Sequence, residues 1–301
     1  MTTAARRHST REVRALIRQA LRRHFLPLML ALLILSLPLI AAGALDGLAD
    51  ACLLALRAEK EWLREQSLIP GWRDDPENKD AIMDAWLREG ELESRAGSLD
   101  LAGDALSLIG HFLAMPLLFG VNLVLICSLR GGDYSWQDAR LSFAEFRRGV
   151  KMQCCILMLM LMLTVPGVLI RLLSSIICGG TGTVGLILEV AAALVTAVLF
   201  FIAQLRFHLA PRLLADGMEG TAGELIAKST EILDNRSLLP QLSILFPGFL
   251  LVIAVWLLQA FALPLILPRY LVAPLGTLLS LPGYGYLITA SAAIYVTFRT
   301  P

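Results

Sequence analysis

Ligand spacing for a metal is absent from the sequence: five cysteines and four histidines are scattered, with no Cys-x-x-Cys and no Cys/His pair at ligating distance. No metal and no cofactor are expected. Enzyme signatures are missing as well. There is no His-Glu-x-x-His and no Gly-x-Ser-x-Gly, and the glycine cluster Gly179-Gly180-Thr181-Gly182 has no following lysine to make a phosphate loop. The sequence therefore offers no catalytic residue. Charge is scarce too, at 17% of residues against about 25% in an average soluble domain. With 26 basic and 25 acidic residues the net charge is +1, which leaves no electrostatic basis for binding nucleic acid.

What is present is apolar sequence, 56% of the chain, at a mean hydropathy of +0.68. That much apolar surface needs lipid to cover it. Crossing a hydrocarbon core of about 30 Å takes roughly 20 helical residues. Six stretches qualify: Phe25 to Leu45, Ala105 to Ser128, Met152 to Ile177, Thr183 to Leu205, Leu239 to Leu263 and Leu275 to Thr297. Only Arg171 and Glu189 are charged within them. The expected fold is all-α: one polytopic membrane domain over residues 1–301, holding an acidic extracytoplasmic helical loop at 46–104.

Basic residues in short connections set orientation. Seven arginines precede Phe25, the second and fourth connections carry five and four basic residues, and Arg299 is in the last tail. The opposite side has Arg269 in a short connection and seven basic residues in the long loop, against 15 acidic ones. Both termini are thus expected in the cytoplasm of a bacterium, with the chain multi-pass in its plasma membrane.

In the long loop, the first span is expected to continue as a helix through Leu53, Leu56, Trp62 and Leu63. A second helix should start at Asp75 with Pro76 in its first position, where proline loses no hydrogen bond. The acidic run Asp74, Asp75, Glu77, Asp80 and Asp84 lacks the alternating ligands and turn glycine of a calcium loop, and reads as solvated surface. Ala42-Gly43-Ala44 resembles a signal-peptide cleavage site. The preceding apolar run is too long for a secretory signal and cleavage would leave an odd number of spans, so a retained anchor is expected. Cys52 and Cys178 both fall near the outer face and read as unrelated thiols, with a disulfide as the alternative.

The spans also group into a repeat. Each pair follows an amphipathic stretch that opens on a capping box, a hydroxyl and a carboxylate three residues apart. The boxes are Ser9-Thr10-Arg11-Glu12, then Ser135-Trp136-Gln137-Asp138 or Ser142-Phe143-Ala144-Glu145, and Thr221-Ala222-Gly223-Glu224. Apolar faces follow: Val13, Leu16, Ile17, Ala20 and Leu21; Leu141, Phe143, Phe146 and Val150; Leu225, Ile226, Ile232 and Leu233, with Ser229 among them. At the junctions, Arg23-His24-Phe25-Leu26-Pro27 has the form of Arg236-Ser237-Leu238-Leu239-Pro240, and Arg147, Arg148 and Lys151 take the equivalent place in the middle unit. The architecture expected is three helical hairpins, each preceded by a cytoplasmic amphipathic interfacial helix. Arg22, Arg23, Arg147, Arg148, Lys151 and Arg236 would contact lipid headgroups, preferentially anionic ones of the inner leaflet.

Here the sequence resembles a known family, the bacterial integral-membrane proteins called domain of unknown function nine-seven-five, and more loosely the membrane domain of some glycerophosphoryl diester phosphodiesterases. The residues that carry it are Ala20-Leu21-Arg22-Arg23-His24, Val165-Pro166-Gly167-Val168-Leu169-Ile170, and Leu209-Ala210-Pro211-Arg212-Leu213-Leu214-Ala215-Asp216. Ala227-Lys228-Ser229 and the ending from Pro282-Gly283-Tyr284 to Ala293-Ile294-Tyr295 complete it. The outer loop lies outside the resemblance, and Arg171 to Leu205 is longer than the family pattern. The resemblance implies a membrane fold and brings no activity or catalytic residues.

Charges inside spans are costly and mark paired or cavity-facing groups. Arg171 and Glu189 are equidistant from Gly180, so they are expected to face each other across a hairpin, first as a structural ion pair and second as part of a ligand site. His111 enters the second span from the outer side; it reads as interfacial, or with Arg171 and Glu189 as an outward-facing polar cluster. Asn122 should hydrogen-bond between helices. His8, His24 and His208 read as solvated or headgroup-facing. Pro116, Pro166-Gly167, Pro247-Gly248 and Pro282-Gly283 predict kinks, with broken helices as the alternative. The preferred function is a non-enzymatic membrane-organising or accessory component whose partners are membrane lipids. The alternative is a small-solute transporter with an outer-half pocket. No protein partner and no substrate can be read from the chain.

Overall fold

The computed structural model describes residues 10–69, 76–132, 143–178, 183–234 and 238–299. The described residues are helical and contain no strand. The elements are α1 (Thr10–Ser67), α2 (Pro76–Leu129), α3 (Phe143–Cys178), α4 (Thr183–Phe207), α5 (Ala210–Ala215), α6 (Ala222–Asp234), α7 (Leu238–Leu257), a π-helical turn (Leu258–Ala262), α8 (Leu263–Ile266) and α9 (Arg269–Arg299). Six helices are long and apolar enough to cross a membrane. The chain packs as two compact units, the first made of residues 1–28, 112–247 and 285–301 and the second of 29–111 and 248–284.

Proline decides the breaks. Leu267 is extended, at φ −118° and ψ 150°, as the residue before a proline is forced to be, and Pro268 separates α8 from α9. The π-helical turn stands directly before Pro264, whose ring removes a backbone donor. Helix continues through Pro166, Pro247, Pro274 and Pro282, so these residues do not divide their helices.

In the first unit, two segments are buried on nearly every side, which places them centrally. One is 119–126 of α2, where only Leu123 is half-exposed; the other is 289–297 of α9, Thr-Ala-Ser-Ala-Ala-Ile-Tyr-Val-Thr. Small side chains there let neighbouring backbones come close. All six residues of α5 are buried as well, and α5 and α6 pack on each other and on α3, while α4 packs on α3 and α6. The capping box predicted at Thr221 is formed: the Thr221 backbone N–H donates to Glu224 Oε2 at 2.7 Å, and the Glu224 N–H to Thr221 Oγ1 at 3.3 Å. Ser9, Ser142 and Ser135 to Asp138 lie outside the described residues. Only the third amphipathic stretch is a helix separate from its span. The first and second are continuous with theirs, in α1 and α3.

In the second unit, α1 runs on past Leu45 and pairs with the first half of α2. Ala42, Ala49 and Leu56 are buried at seven-residue steps on α1, and Ala96, Gly103 and Gly110 on α2. That is the seam of a coiled coil built from small residues. Gly110 lies against Pro38 and Leu39, Gly103 against Ala42 and Asp46, and Glu89 2.9 Å from Lys60 Nζ, so the two helices run antiparallel, with Arg88 and Glu59 3.6 Å apart beside the last pair. From Asp46 to Ser67 this arm is about 33 Å long, at roughly 1.5 Å per residue. The expected helices of the acidic loop are therefore present, α2 starting at Pro76 as predicted; Asp74 and Asp75 lie outside the described residues. Helix α1 passes unbroken through Ala42-Gly43-Ala44. There Gly43 faces Ala273 and Gly47 faces the backbone of Arg269 and Tyr270 in α9.

Candidate functional site

Helix α1 presents two opposite faces at its basic end. Val13, Ile17, Ala20, His24 and Leu28 are buried, at the three- and four-residue spacing of one helical face. Arg11, Arg14, Arg18 and Arg22 are exposed at the same spacing on the other face. The apolar face expected to sink into headgroups is thus packed against protein. The same holds for α6, where Leu225, Ile226, Ser229 and Leu233 are buried and the Ser229 hydroxyl donates to the Arg206 carbonyl at 2.6 Å. Arg22 and Arg23, with Ala15, Arg18 and Gln19, line a surface depression of about 490 Å³.

The other expected headgroup contacts divide. Arg147 and Lys151 are exposed on the first turns of α3. Arg148 is half-buried and donates to the Met218 carbonyl at 2.9 Å, so it pins the segment after α5. Arg236 lies outside the described residues. His24 is a correction: it is 7% exposed, with Nε2 2.7 Å from the Ser128 hydroxyl, because its place on the buried face of α1 turns it inward. His208 is likewise half-buried, its Nδ1 2.6 Å from the Leu205 carbonyl. His8 lies outside the described residues.

The intramembrane cluster is not assembled within either unit. His111 belongs to the second unit, is exposed, and has Nδ1 2.8 Å from the Ser107 carbonyl of its own helix. Positions 171 and 189 belong to the first unit, on α3 and α4, and the contact of Gly167 with Ala192 and Thr196 sets them at neighbouring levels. Their side chains and the turn 179–182 lie outside the described residues. Asn122 is 2% exposed, and its Oδ1 has no hydrogen-bond partner among the described residues. Cys52, Cys127, Cys154 and Cys155 are free thiols; the Cys178 side chain is outside the described residues. No cluster of three metal-ligating side chains occurs among the described residues.

No protein-family model, no curated protein and no solved structure matches the chain.

A polar hub that sequence reasoning missed holds the basic end together. Helices α2 and α5 both end in a Schellman turn, a pair of backbone bonds closed by a left-handed glycine. At α2 these are Gly131 N–H to Ser128 and Gly132 N–H to Cys127; at α5, Gly217 N–H to Leu214 and Met218 N–H to Leu213. Gly131 and Gly217 have φ of 80° and 74°, which a side chain would strain. The residues just before these glycines, Arg130 and Asp216, meet in a two-pronged ion pair at 2.6 and 2.9 Å. The Tyr295 hydroxyl, from the buried C-terminal segment of α9, donates to the same carboxylate at 2.6 Å. One aspartate thereby joins the ends of three elements. The dipeptides Arg130-Gly131 and Asp216-Gly217, each after an apolar run, are the stop signals that could have marked both helix ends.

Proposed function

We propose that this chain is a non-enzymatic, membrane-organising or accessory component of a bacterial plasma membrane, with both termini in the cytoplasm and its arginine face on anionic inner-leaflet lipid. One observation carries the reading: Arg11, Arg14, Arg18 and Arg22 form an exposed stripe on the end of α1 whose opposite face is buried. Arginine presents planar donors that suit phosphate, and a juxtamembrane basic residue contributes about 1 kcal/mol near an anionic surface. Because the apolar faces are occupied within the protein, the attraction is electrostatic, and the helices lie against lipid without being driven in by an apolar face. Three hairpins, each led by an amphipathic segment, would repeat this contact. The resemblance to the domain of unknown function nine-seven-five family agrees with a membrane fold and adds no activity.

The test is lipid retention. Purified from membranes, the wild-type protein should carry phosphatidylglycerol or cardiolipin in excess over their bulk fraction. Replacing Arg11, Arg18 and Arg22 of the stripe, together with Arg23, Arg147, Arg148 and Arg236, by Gln should cut that excess at least threefold while the protein stays monodisperse. Because Arg148 also holds Met218, the same set without Arg148 provides the control for folding. Unchanged lipid enrichment in both variants would sink the reading.

A further inference from the structure

Pro247 of α7 and Tyr286 of α9 stand beside the N-terminal turns of α1. A cleft of about 760 Å³ lies there, lined by Thr10, Arg11, Arg14, Ile17, Arg18, Pro247 and Tyr286. All of these belong to the first unit. Its volume is in the range of small-molecule sites, roughly 300 to 1,000 Å³. Three arginines line it and, among the described residues, no carboxylate does.

The guanidinium groups are placed by the fold. Arg14 donates one N–H to the Ser243 carbonyl at 2.9 Å, tying α1 to α7. Arg18 Nε donates to the Arg14 carbonyl at 3.4 Å. Tyr286, on α9, donates its hydroxyl to the Ile244 carbonyl at 2.9 Å, which holds the ring at the wall. The floor is apolar, supplied by Ile17, Pro247 and the Tyr286 ring. Phe246, the residue before Pro247 in α7, is 61% exposed, which puts exposed apolar surface on the same helical turn.

We infer that this cleft is a discrete binding site for one anionic phospholipid. The phosphate would sit on Arg11, Arg14 and Arg18, and the acyl end would leave over Ile17, Pro247 and Phe246. Charge complementarity selects an anion, and the adjoining apolar floor selects a lipid over a free phosphate. The inference deepens the reading of an arginine face on anionic lipid, since it assigns a saturable site within that face.

The experiment is native mass spectrometry of the full chain, relipidated in equal phosphatidylglycerol and phosphatidylethanolamine and then stripped stepwise with detergent. The wild type should keep one phosphatidylglycerol after the rest have gone. Arg11→Gln with Arg18→Gln, which leaves the Arg14–Ser243 bond intact, should weaken that retention at least tenfold. Adding Arg14→Gln should abolish it. Phosphatidylglycerol bearing a photoactivatable acyl chain should crosslink the wild type at Ile17, Phe246, Pro247 or Tyr286, a readout that needs no variant. Retention unchanged in the triple variant, or crosslinks only elsewhere, would overturn the inference. So would displacement of the lipid by millimolar inorganic phosphate, which would mark a soluble anion as the ligand. Bulk enrichment of anionic lipid without one retained lipid refutes the cleft alone. One retained lipid without bulk enrichment supports the cleft and refutes the broader face.

Discussion

Asp216→Ala should be among the most damaging single substitutions outside the apolar spans, lowering the unfolding midpoint in mild detergent by about 5 to 10 °C. The carboxylate is 12% exposed and takes a two-pronged ion pair from Arg130 and a hydrogen bond from Tyr295. Removing it leaves a buried tyrosine hydroxyl without that acceptor and a guanidinium without that counter-charge. Breaking a fully buried pair costs about 3 to 5 kcal/mol. Arg130 is 41% exposed and water can compensate it in part, so about 2 to 4 kcal/mol is expected here. Tyr295→Phe removes one hydrogen bond and should cost about 1 kcal/mol. If Asp216→Ala unfolds no more readily than Tyr295→Phe, the hub is not what joins α2, α5 and α9.

The second large effect is expected at Gly47. A Cβ added there would come 2.8 Å from both the Arg269 carbonyl oxygen and the Tyr270 nitrogen. These are backbone atoms of a neighbouring helix, which cannot rotate away as a side chain can. The helices must separate, with Gly43 against Ala273 four residues earlier losing its contact too. Gly47→Val should therefore cost about 3 kcal/mol, the upper part of the range for overpacking. Gly97→Ala supplies the contrast, because nothing lies within 4 Å of its added Cβ. There the gain in helix propensity should stabilise the arm by up to about 1 kcal/mol. Thermal unfolding of the two variants side by side checks both signs.

These two positions also show how much of the molecule was legible beforehand. The six spans were, because a hydropathy run of 20 residues is a property of one segment alone. So were the start of α2 at Pro76 and the capping box at Thr221, whose bonds reach only three residues along the chain. The Gly43 and Gly47 contact was visible as a pair of glycines four apart, the spacing of closely packed membrane helices. What the pair packs against is not visible locally, since its partner in α9 is more than 200 residues away. The coiled-coil seam was hidden because Ala42, Ala49, Ala96 and Gly103 give no hydrophobic signal by themselves.

The candidate site divides in the same way. Exposure of Arg22, Arg23, Arg147 and Lys151 follows from their place beside apolar runs. The inward turn of His24 depends on Ser128, 104 residues away, and no local pattern announces it. The register Arg11, Arg14, Arg18 and Arg22 was in the sequence all along as a helical stripe. The apolar face of the same helix is the stronger local pattern. Among the residues that carry the family resemblance, Asp216 and Tyr295 turn out to hold the hub. Recognising the motif located them without revealing what they do.

Orientation is the most direct measurement of the central proposal, that the arginine face meets the inner leaflet while the arm stands outside. In a background with all five cysteines replaced, single cysteines at Gln19, beside the arginine stripe, and at Gly90, on the arm, would be exposed to a membrane-impermeant maleimide in intact cells. The account predicts that Gly90→Cys is labelled at once and Gln19→Cys only after lysis. Labelling of Gln19→Cys in intact cells, with Gly90→Cys protected, would contradict it.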